Sequence, residues 1–481
     1  MNYKMVFRAI GRLLLVEALL MLFPLAVSIY YQEKLEVVFL GTIGLLSATG
    51  LLMSAPKIEN RRIYAREGFV IVALSWILMS LFGALPFYIS GQIPSFVDAL
   101  FETVSGFSTT GATILVDIEA LSKSLLFWRA FTHWIGGMGV IVFALAILPK
   151  KDMQSMHIMR AEVPGPSVGK LVSKTTVTAR ILYIIYTVIT LAEIVTLLCC
   201  KMPLFDSITT AFATAGTGGF SIKNASIAAY NSLSIEIVTS LFMLIFGVNF
   251  NLFYIILMKQ FKRAFKSEEL WTYVGIVVVS TAIISINILP LVDSFGVALR
   301  QAGFQVASII TTTGFGTADF GNWPTLSQFI IVLLMFCGAC TGSTGGGLKV
   351  GRIMILAKSV FRETRRAMNP SSVKCIKLDG ATVDKEIIST TNIYFTVYIF
   401  LIGISTILIS FDNIDVLGAT TSVISCINNI GPGLSSDGMI SHFADFSNFS
   451  KIVFTADMLI GRLEIFPMLI LFMPTTWRKS I

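Results

Sequence analysis

The sequence predicts an all-α polytopic membrane protein of ten spans, in which an N-terminal transmembrane hairpin precedes four pseudo-symmetric repeats of span, re-entrant half-helix, glycine loop and span. Three observations predict it. With 55% hydrophobic and 13% charged residues among 481, and a mean hydropathy of +0.80, the chain cannot cover a soluble surface with polar groups. Apolar runs of about 20 residues, enough to cross roughly 30 Å of hydrocarbon, recur along it. Four short stretches echo one another about a hundred residues apart: Phe107-Ser-Thr-Thr-Gly111-Ala, Phe212-Ala-Thr-Ala-Gly216-Thr-Gly, Ile310-Thr-Thr-Thr-Gly314-Phe-Gly and Ile427-Asn-Asn-Ile-Gly431-Pro-Gly.

The apolar runs lie at 9–31, 36–54, 69–91, 125–148, 178–200, 234–258, 271–291, 326–348, 387–410 and 451–473. Lys4, Arg8 and Arg12 lead into the first like the start of a signal peptide. That run continues to about Tyr31 and a second follows at once, so a retained membrane helix is expected. Of the 36 Lys and Arg, 28 fall in the N-terminal segment, 55–68, 149–180, 259–270, 349–386 and the C-terminus, and only seven in the opposite loops. By the positive-inside rule both termini are cytoplasmic. The net charge of +8 is thus topological, spread between apolar runs rather than gathered on a domain that could bind nucleic acid. The six cysteines form no even extracellular ladder, so no disulfide framework is expected.

Each echoing stretch follows a segment too short to cross, at 95–108, 204–213, 297–311 and 415–428, on the outer side. Irregular backbone at membrane depth is tolerable only where it is buried in protein or lines water. The units are therefore a hairpin at 1–67 and repeats at 68–150, 151–266, 267–385 and 386–481. An enzyme has no use for four copies of one loop. A single pore does, because each copy can supply a quarter of a ring of backbone carbonyls that replaces the water around a cation. Glycine permits the positive φ such a strand needs. The expected ion-binding residues are Thr109, Thr110 and Gly111; Thr214, Ala215 and Gly216; Thr312, Thr313 and Gly314; and Asn429, Ile430 and Gly431. None is a carboxylate, which argues for a large monovalent cation over a divalent one. Half-helices aiming their partly negative C-termini at the axis favour a cation further. Asp98, Glu102, Asp117, Asp293, Asp319, Asp412, Asp415 and Asp437 gather toward the outer mouth, either to concentrate cations or as ordinary loop solvation.

The eighth run is interrupted by Cys337-Gly-Ala-Cys-Thr-Gly-Ser-Thr-Gly-Gly-Gly347, where glycines costing about 1 kcal/mol each predict a break in the helix. A phosphate loop fails because Leu348 intervenes before Lys349; a redox Cys pair and a small-residue packing motif stay open. Arg462 stands in the last span, where an arginine costs about 2.5–3.5 kcal/mol. It is either a positive barrier in the pore or the partner of Asp457 or Glu464. His133, beside Arg129 and Trp134, reads as an interfacial anchor, and Trp271 and Trp477 as belt residues. The nine basic residues from Lys349 to Lys385 read as a cytoplasmic surface, in contact with anionic lipid.

On these residues the sequence resembles the TrkH branch of the Trk/Ktr/HKT superfamily of potassium transport proteins. The matching motifs are the Gly-Phe-Ser-Thr-Thr-Gly-Ala-Thr around Thr109, Trp134-Ile-Gly-Gly-Met-Gly, and Gly342-Ser-Thr-Gly-Gly-Gly-Leu-Lys; the N-terminal hairpin favours TrkH over the KtrB branch. The fourth loop departs from the Thr-rich form at Asn428, Asn429 and Ile430. The resemblance implies a filter with Gly111, Gly216, Gly314 and Gly431 in the key positions. It implies an intramembrane gate loop of Thr341, Gly342, Ser343, Thr344, Gly345, Gly346 and Gly347, with Arg462 beneath the filter. It further implies K+ as the transported ion without an organic cofactor, a homodimer with one pore per chain, and the bacterial inner membrane as location. A TrkA-type nucleotide-binding regulatory subunit would dock on the basic cytoplasmic stretch. Channel-like potassium uptake is the leading expectation. A symporter coupling K+ to H+ or Na+ is the alternative; it would call for inverted repeats and a midplane carboxylate, whereas the four repeats share one orientation and the exception, Glu193 in the fifth span, is not matched in its counterparts. No nucleophile–base pair or metal-spaced histidine cluster suggests an enzyme.

Overall fold

A computed structural model describes residues 1–56, 64–139, 175–370 and 375–477. Among the described residues the regular structure is helical apart from two two-stranded ribbons, Lys377–Leu378 with Ala381–Thr382 and Gly433–Ser435 with Gly438–Ile440. Among the described residues six helical segments are long and apolar enough to cross a membrane: Tyr3–Tyr31, Glu36–Ser54, Arg66–Ile89, Ala179–Cys199, Glu268–Leu291 and Lys385–Asp412. Leu233–Phe246 and Phe250–Leu257, bent by 89°, make a seventh if counted as one. Large apolar side chains such as Val37, Ile237, Phe400 and Ile407 stand outward and exposed, as a bilayer-facing surface allows and an aqueous one does not. The chain is a polytopic membrane protein.

The N-terminal helices Tyr3–Leu20 and Glu36–Ser54 meet where Gly11 and Gly50 bring the backbones together. A Cβ on either glycine would lie 2.7 or 2.8 Å from the other's carbonyl oxygen, the close approach that small residues permit between membrane helices.

Four short helices, Phe96–Phe107, Leu204–Gly216, Phe295–Ile310 and Val416–Ile427, stand at the places where half-helices were expected. Three start on side-chain caps: Ser95 accepts from the Asp98 N–H, Ser294 from Val297 and Asp415 from Gly418. All four end alike. The N–H of Thr109, Thr217, Thr312 and Asn429 reaches back three residues, to the carbonyls of Gly106, Thr214, Ile309 and Cys426. The next N–H, of Thr110, Gly218, Thr313 and Ile430, reaches back five, to Ser105, Ala213, Ser308 and Ser425. This is the Schellman termination, with the left-handed position taken by Thr109 (φ 56°), Thr217 (54°), Thr312 (58°) and Asn429 (56°). A β-branched residue there is unusual and costs on the order of 1–3 kcal/mol. Three threonines hold it in equivalent places.

Besides the bent pair at 234–258, two expected spans are not single helices. The run at 326–348 is helical only over Thr325–Phe336 and resumes as Val350–Met368 after the glycine segment. The run at 451–473 consists of Asn448–Arg462 and Phe466–Phe472. Of the run at 125–148, the helix Lys123–Gly137 is seen, and its later part lies outside the described residues.

Candidate functional site

The four terminations converge. A Cβ added to Gly111 would fall 1.9 Å from the Gly218 carbonyl oxygen, one on Gly219 1.8 Å from that of Thr313, one on Gly314 2.0 Å from that of Ile430, and one on Gly431 2.9 Å from that of Thr110. First loop touches second, second third, third fourth, and fourth first. The four carbonyls belong to the same position of each Schellman turn, and the four glycines, with φ of 80°, 71°, 82° and 107°, follow directly. Any side chain on these glycines would collide with the neighbouring loop. The result is a closed ring of main chain, with a cavity of about 260 Å³ above it lined in part by Gly111, Gly219, Gly314 and Pro432.

This geometry shifts the expected second loop by three residues. Thr214, Ala215 and Gly216 form the last turn of the helix Leu204–Gly216. The residues matching Thr109-Thr110-Gly111 are Thr217, Gly218 and Gly219. Gly216 resembles a loop glycine in sequence, but a Cβ there would sit 2.3 Å from the His133 carbonyl oxygen, so glycine serves close packing on the helix Lys123–Gly137. Both Thr214-Ala-Gly216 and Thr217-Gly-Gly219 fit the Thr/Asn-x-Gly pattern of the other three places, so the pattern alone does not choose between them. Thr109, Thr110, Gly111, Thr312, Thr313, Gly314, Asn429, Ile430 and Gly431 stand in the ring.

The threonine hydroxyls hold the ring laterally. Thr110 Oγ1 lies 2.7 Å from Ser108 Oγ and accepts from Asn429 Nδ2 at 2.9 Å; Thr313 and Thr311 pair at 2.7 Å. Asn429 also donates to the Met458 carbonyl, and Asn428 bonds Tyr398. The departure from threonine in the fourth loop therefore exchanges short hydroxyl ties for longer amide ones that span two loops.

Expectations around the ring need correction. Glu102 is buried, accepting from Thr113 Oγ1, Ile114 N–H and Arg129 Nε at 2.5 Å; it is a structural ion pair, not a mouth carboxylate. Arg129 also donates to the Ser221 carbonyl and lies 3.5 Å over the Phe220 ring, tying the first loop to the second. His133 is no interfacial anchor: fully buried, it packs on Phe220 at 4.1 Å and against Gly218. Asp98 pairs with Lys451 at 2.8 Å, and Asp415 caps a helix. Asp319 does face the cavity above the ring. At the rim, the hydrogen bond from the Lys223 ammonium holds the Glu119 carboxyl below the usual carboxylate range.

Beneath the ring lies the glycine segment, folded on itself by the Gly338 N–H to Leu348 carbonyl bond at 2.9 Å. Its neighbour is the 89° break in the helix pair Leu233–Phe246 and Phe250–Leu257. The Gly247 carbonyl freed by that break accepts from Cys340 N–H, and the freed Phe250 N–H donates to the Gly342 carbonyl. Each irregularity satisfies the other, as apolar surroundings require. Glu269 accepts from Thr341 and Gly351 N–H at 2.6 and 3.0 Å, closing the segment's two ends. Gly346 N–H donates to Thr312 Oγ1 at 2.7 Å, and a Cβ on Gly346 would lie 2.4 Å from the Asn428 carbonyl oxygen. The segment is thus pressed against the third and fourth loops.

Two buried cations hold it. Arg462 donates to the carbonyls of Thr344, Gly136 and Gly137 at 2.8, 2.6 and 2.7 Å. Its carboxylate partners proposed from sequence are engaged elsewhere, Asp457 with Ser405 and Glu464 with Arg352. Lys349, counted above with the cytoplasmic surface, is 1% exposed and donates to the Gly345 carbonyl. Sequence reasoning missed Glu269 and the carbonyls of Gly136 and Gly137 because these contacts are far apart in the chain, and missed Lys349, whose partner Gly345 is four residues away, because basic residues there count toward the cytoplasmic side. Cys337 and Cys340 are free thiols.

A family profile described as "TrkH: Cation transport protein" matches residues 34–479. The chain belongs to the TrkH family. It is 34% identical over 484 residues to the Trk system potassium uptake protein TrkH of Halomonas elongata, and 36% identical over 489 residues to that of Salmonella typhimurium, each alignment covering 100% of both chains. The crystal structure of the potassium transporter TrkH from Vibrio parahaemolyticus superposes with a TM-score of 0.89 at 34% identity, covering 99% of this chain and 100% of that one. TrkH membership makes the chain a transport protein and not an enzyme.

Proposed function

We propose that the chain carries potassium into the cell through a single pore formed by four pseudo-symmetric repeats, divided as in the sequence reading at 68, 151, 267 and 386 and traversing the bacterial inner membrane ten times. The cyclic abutment of the four loops carries this reading. The carbonyls of Thr110, Gly218, Thr313 and Ile430 form the narrow ring that replaces the hydration shell of K+, and the helix C-termini behind them add negative potential. Ions move inward with the membrane potential, about 2.3 kcal/mol per charge per 100 mV.

The segment Thr341–Gly347 is the gate, and Arg462 and Lys349 are its bolts: each places positive charge below the ring and grips the segment's carbonyls. The test is purified chain in liposomes, with K+ and Na+ flux measured under an imposed potential. Arg462→Ala is expected to raise K+ flux by about tenfold or more, since a barrier change of 1.4 kcal/mol suffices, while the K+/Na+ ratio stays that of wild type. Lys349→Met is expected to raise flux in the same direction. Unchanged flux in folded Arg462→Ala protein refutes the gate.

Control from the cytoplasm by a TrkA-type nucleotide-binding subunit is supported by the gate helix itself. Val350–Met368 continues from the gate and, with the neighbouring ribbon, borders a cavity of about 790 Å³ whose lining includes Lys358, Arg362, Arg365, Arg366, Lys377 and Lys385. An acidic partner surface fits there, and a homodimer would present two. One observation favours the coupled symporter as a second reading: Glu193 is fully buried beside the second short helix, near Thr214. Flux that requires a pH gradient in the same liposomes would establish it.

A further inference from the structure

Directly after Arg462 the backbone takes a costly path. Glu464 has φ 57°, and the buried Ile465 has φ 66° and ψ −58°. The Phe466 N–H closes back on the Glu464 carbonyl at 2.7 Å. This is a three-residue γ-turn of the rare, strained hand, with a β-branched residue at its centre where glycine would sit without penalty. Such a turn persists only when its surroundings over-determine it.

What holds it is the gate helix. Arg352, in the first turn of Val350–Met368, grips Glu464 with its two terminal guanidinium nitrogens, Nη1 on Oε1 at 3.1 Å and Nη2 on Oε2 at 2.5 Å. Its guanidinium lies 4.0 Å over the Tyr394 ring, and the arginine is 7% exposed. A bidentate fork fixes both distance and orientation. Between Arg352 and the gate segment there are only four residues, and between Glu464 and Arg462 only one. The two ends of the ion pair are therefore rigidly close to the two parts of the gate.

We infer that the Arg352–Glu464 pair is the linkage through which movement of the gate helix withdraws Arg462, Glu464 acting as a positioning residue for it. The inference rests on the gating reading above. Displacing Val350–Met368 drags Glu464, lets the strained turn at Ile465 relax, and swings the end of Asn448–Arg462 away from the carbonyls of Thr344, Gly136 and Gly137. Opening of the segment and removal of the positive charge then become one event.

Full-length protein in liposomes tests this through resting K+ flux, ion preference and melting temperature of four variants. Glu464→Gln is expected to raise flux between about twofold and thirtyfold, the span of coupling changes seen for residues that contact no ligand, with unchanged ion preference. The exchanged pair Arg352→Glu with Glu464→Arg is expected to return flux toward wild type, which loss of packing alone would not do. Arg352→Lys keeps charge and fold while losing the fork, and is expected to give a smaller rise. Adding Glu464→Gln to Arg462→Ala is expected to add nothing. The linkage is overturned if Arg462→Ala raises flux while Glu464→Gln and Arg352→Lys leave it at the wild-type level, or if the effects of Glu464→Gln and Arg462→Ala multiply independently. Should Arg462→Ala itself be silent, the gate reading falls first, and the linkage with it.

Discussion

Gly219→Ala is expected to cut the preference for K+ over Na+ by about tenfold or more, a change of only 1.4 kcal/mol between the two ions. Two penalties act together. The new Cβ would lie 1.8 Å from the Thr313 carbonyl oxygen, and φ 71° is left-handed backbone that costs a non-glycine residue roughly 1–2 kcal/mol. Relief requires Thr313 to move, and its carbonyl is a quarter of the ring. The measurement is the K+/Na+ flux ratio in liposomes, with two controls. Gly316→Ala, where an added Cβ meets nothing within 4 Å, is expected to match wild type. Gly216→Ala would press on the His133 carbonyl oxygen and is expected to lower the melting temperature while folded protein keeps its preference. If Gly216→Ala alters selectivity and Gly219→Ala does not, the filter register is three residues earlier than proposed.

That contrast shows how far the sequence could be read. The four half-helices were legible because each is an apolar stretch too short to cross that runs into a glycine loop, all within a dozen or so neighbours. The second loop was misplaced because Thr-Ala-Gly216 imitates Thr-Thr-Gly111, and only backbone geometry tells a glycine needed for φ from one needed for packing. The break after Phe336 was legible from the density of glycine, but its attachment to the bend at Gly247 was not, since the two lie far apart in sequence. Positive-inside counting placed Lys349 with the cytoplasmic cations, and it is blind to a lysine that turns back into the protein. His133 and Glu102 were misread for the same reason: a polar residue near an expected boundary looks like surface until tertiary contacts bury it.

Arg129→Met is expected to destabilise the protein by about 3–5 kcal/mol, the cost of leaving one partner of a buried ion pair uncompensated. Glu102 is 1% exposed and Arg129 3%, so water cannot take the missing partner's place. The remaining donors, Thr113 Oγ1 at 2.9 Å and the Ile114 N–H at 3.0 Å, satisfy the carboxylate's hydrogen bonds but not its charge. Thermal melting of the purified protein checks this, and Glu102→Gln combined with Arg129→Met is expected to recover most of the loss, because removing both charges removes the penalty. Recovery of stability need not recover selectivity. Arg129 also bonds the Ser221 carbonyl and covers Phe220, two residues that follow Gly219 directly, and the double variant lacks both contacts. A double variant that melts like wild type yet discriminates poorly would separate the pair's two roles, as ballast for the first half-helix and as the strap that holds the second loop in the ring.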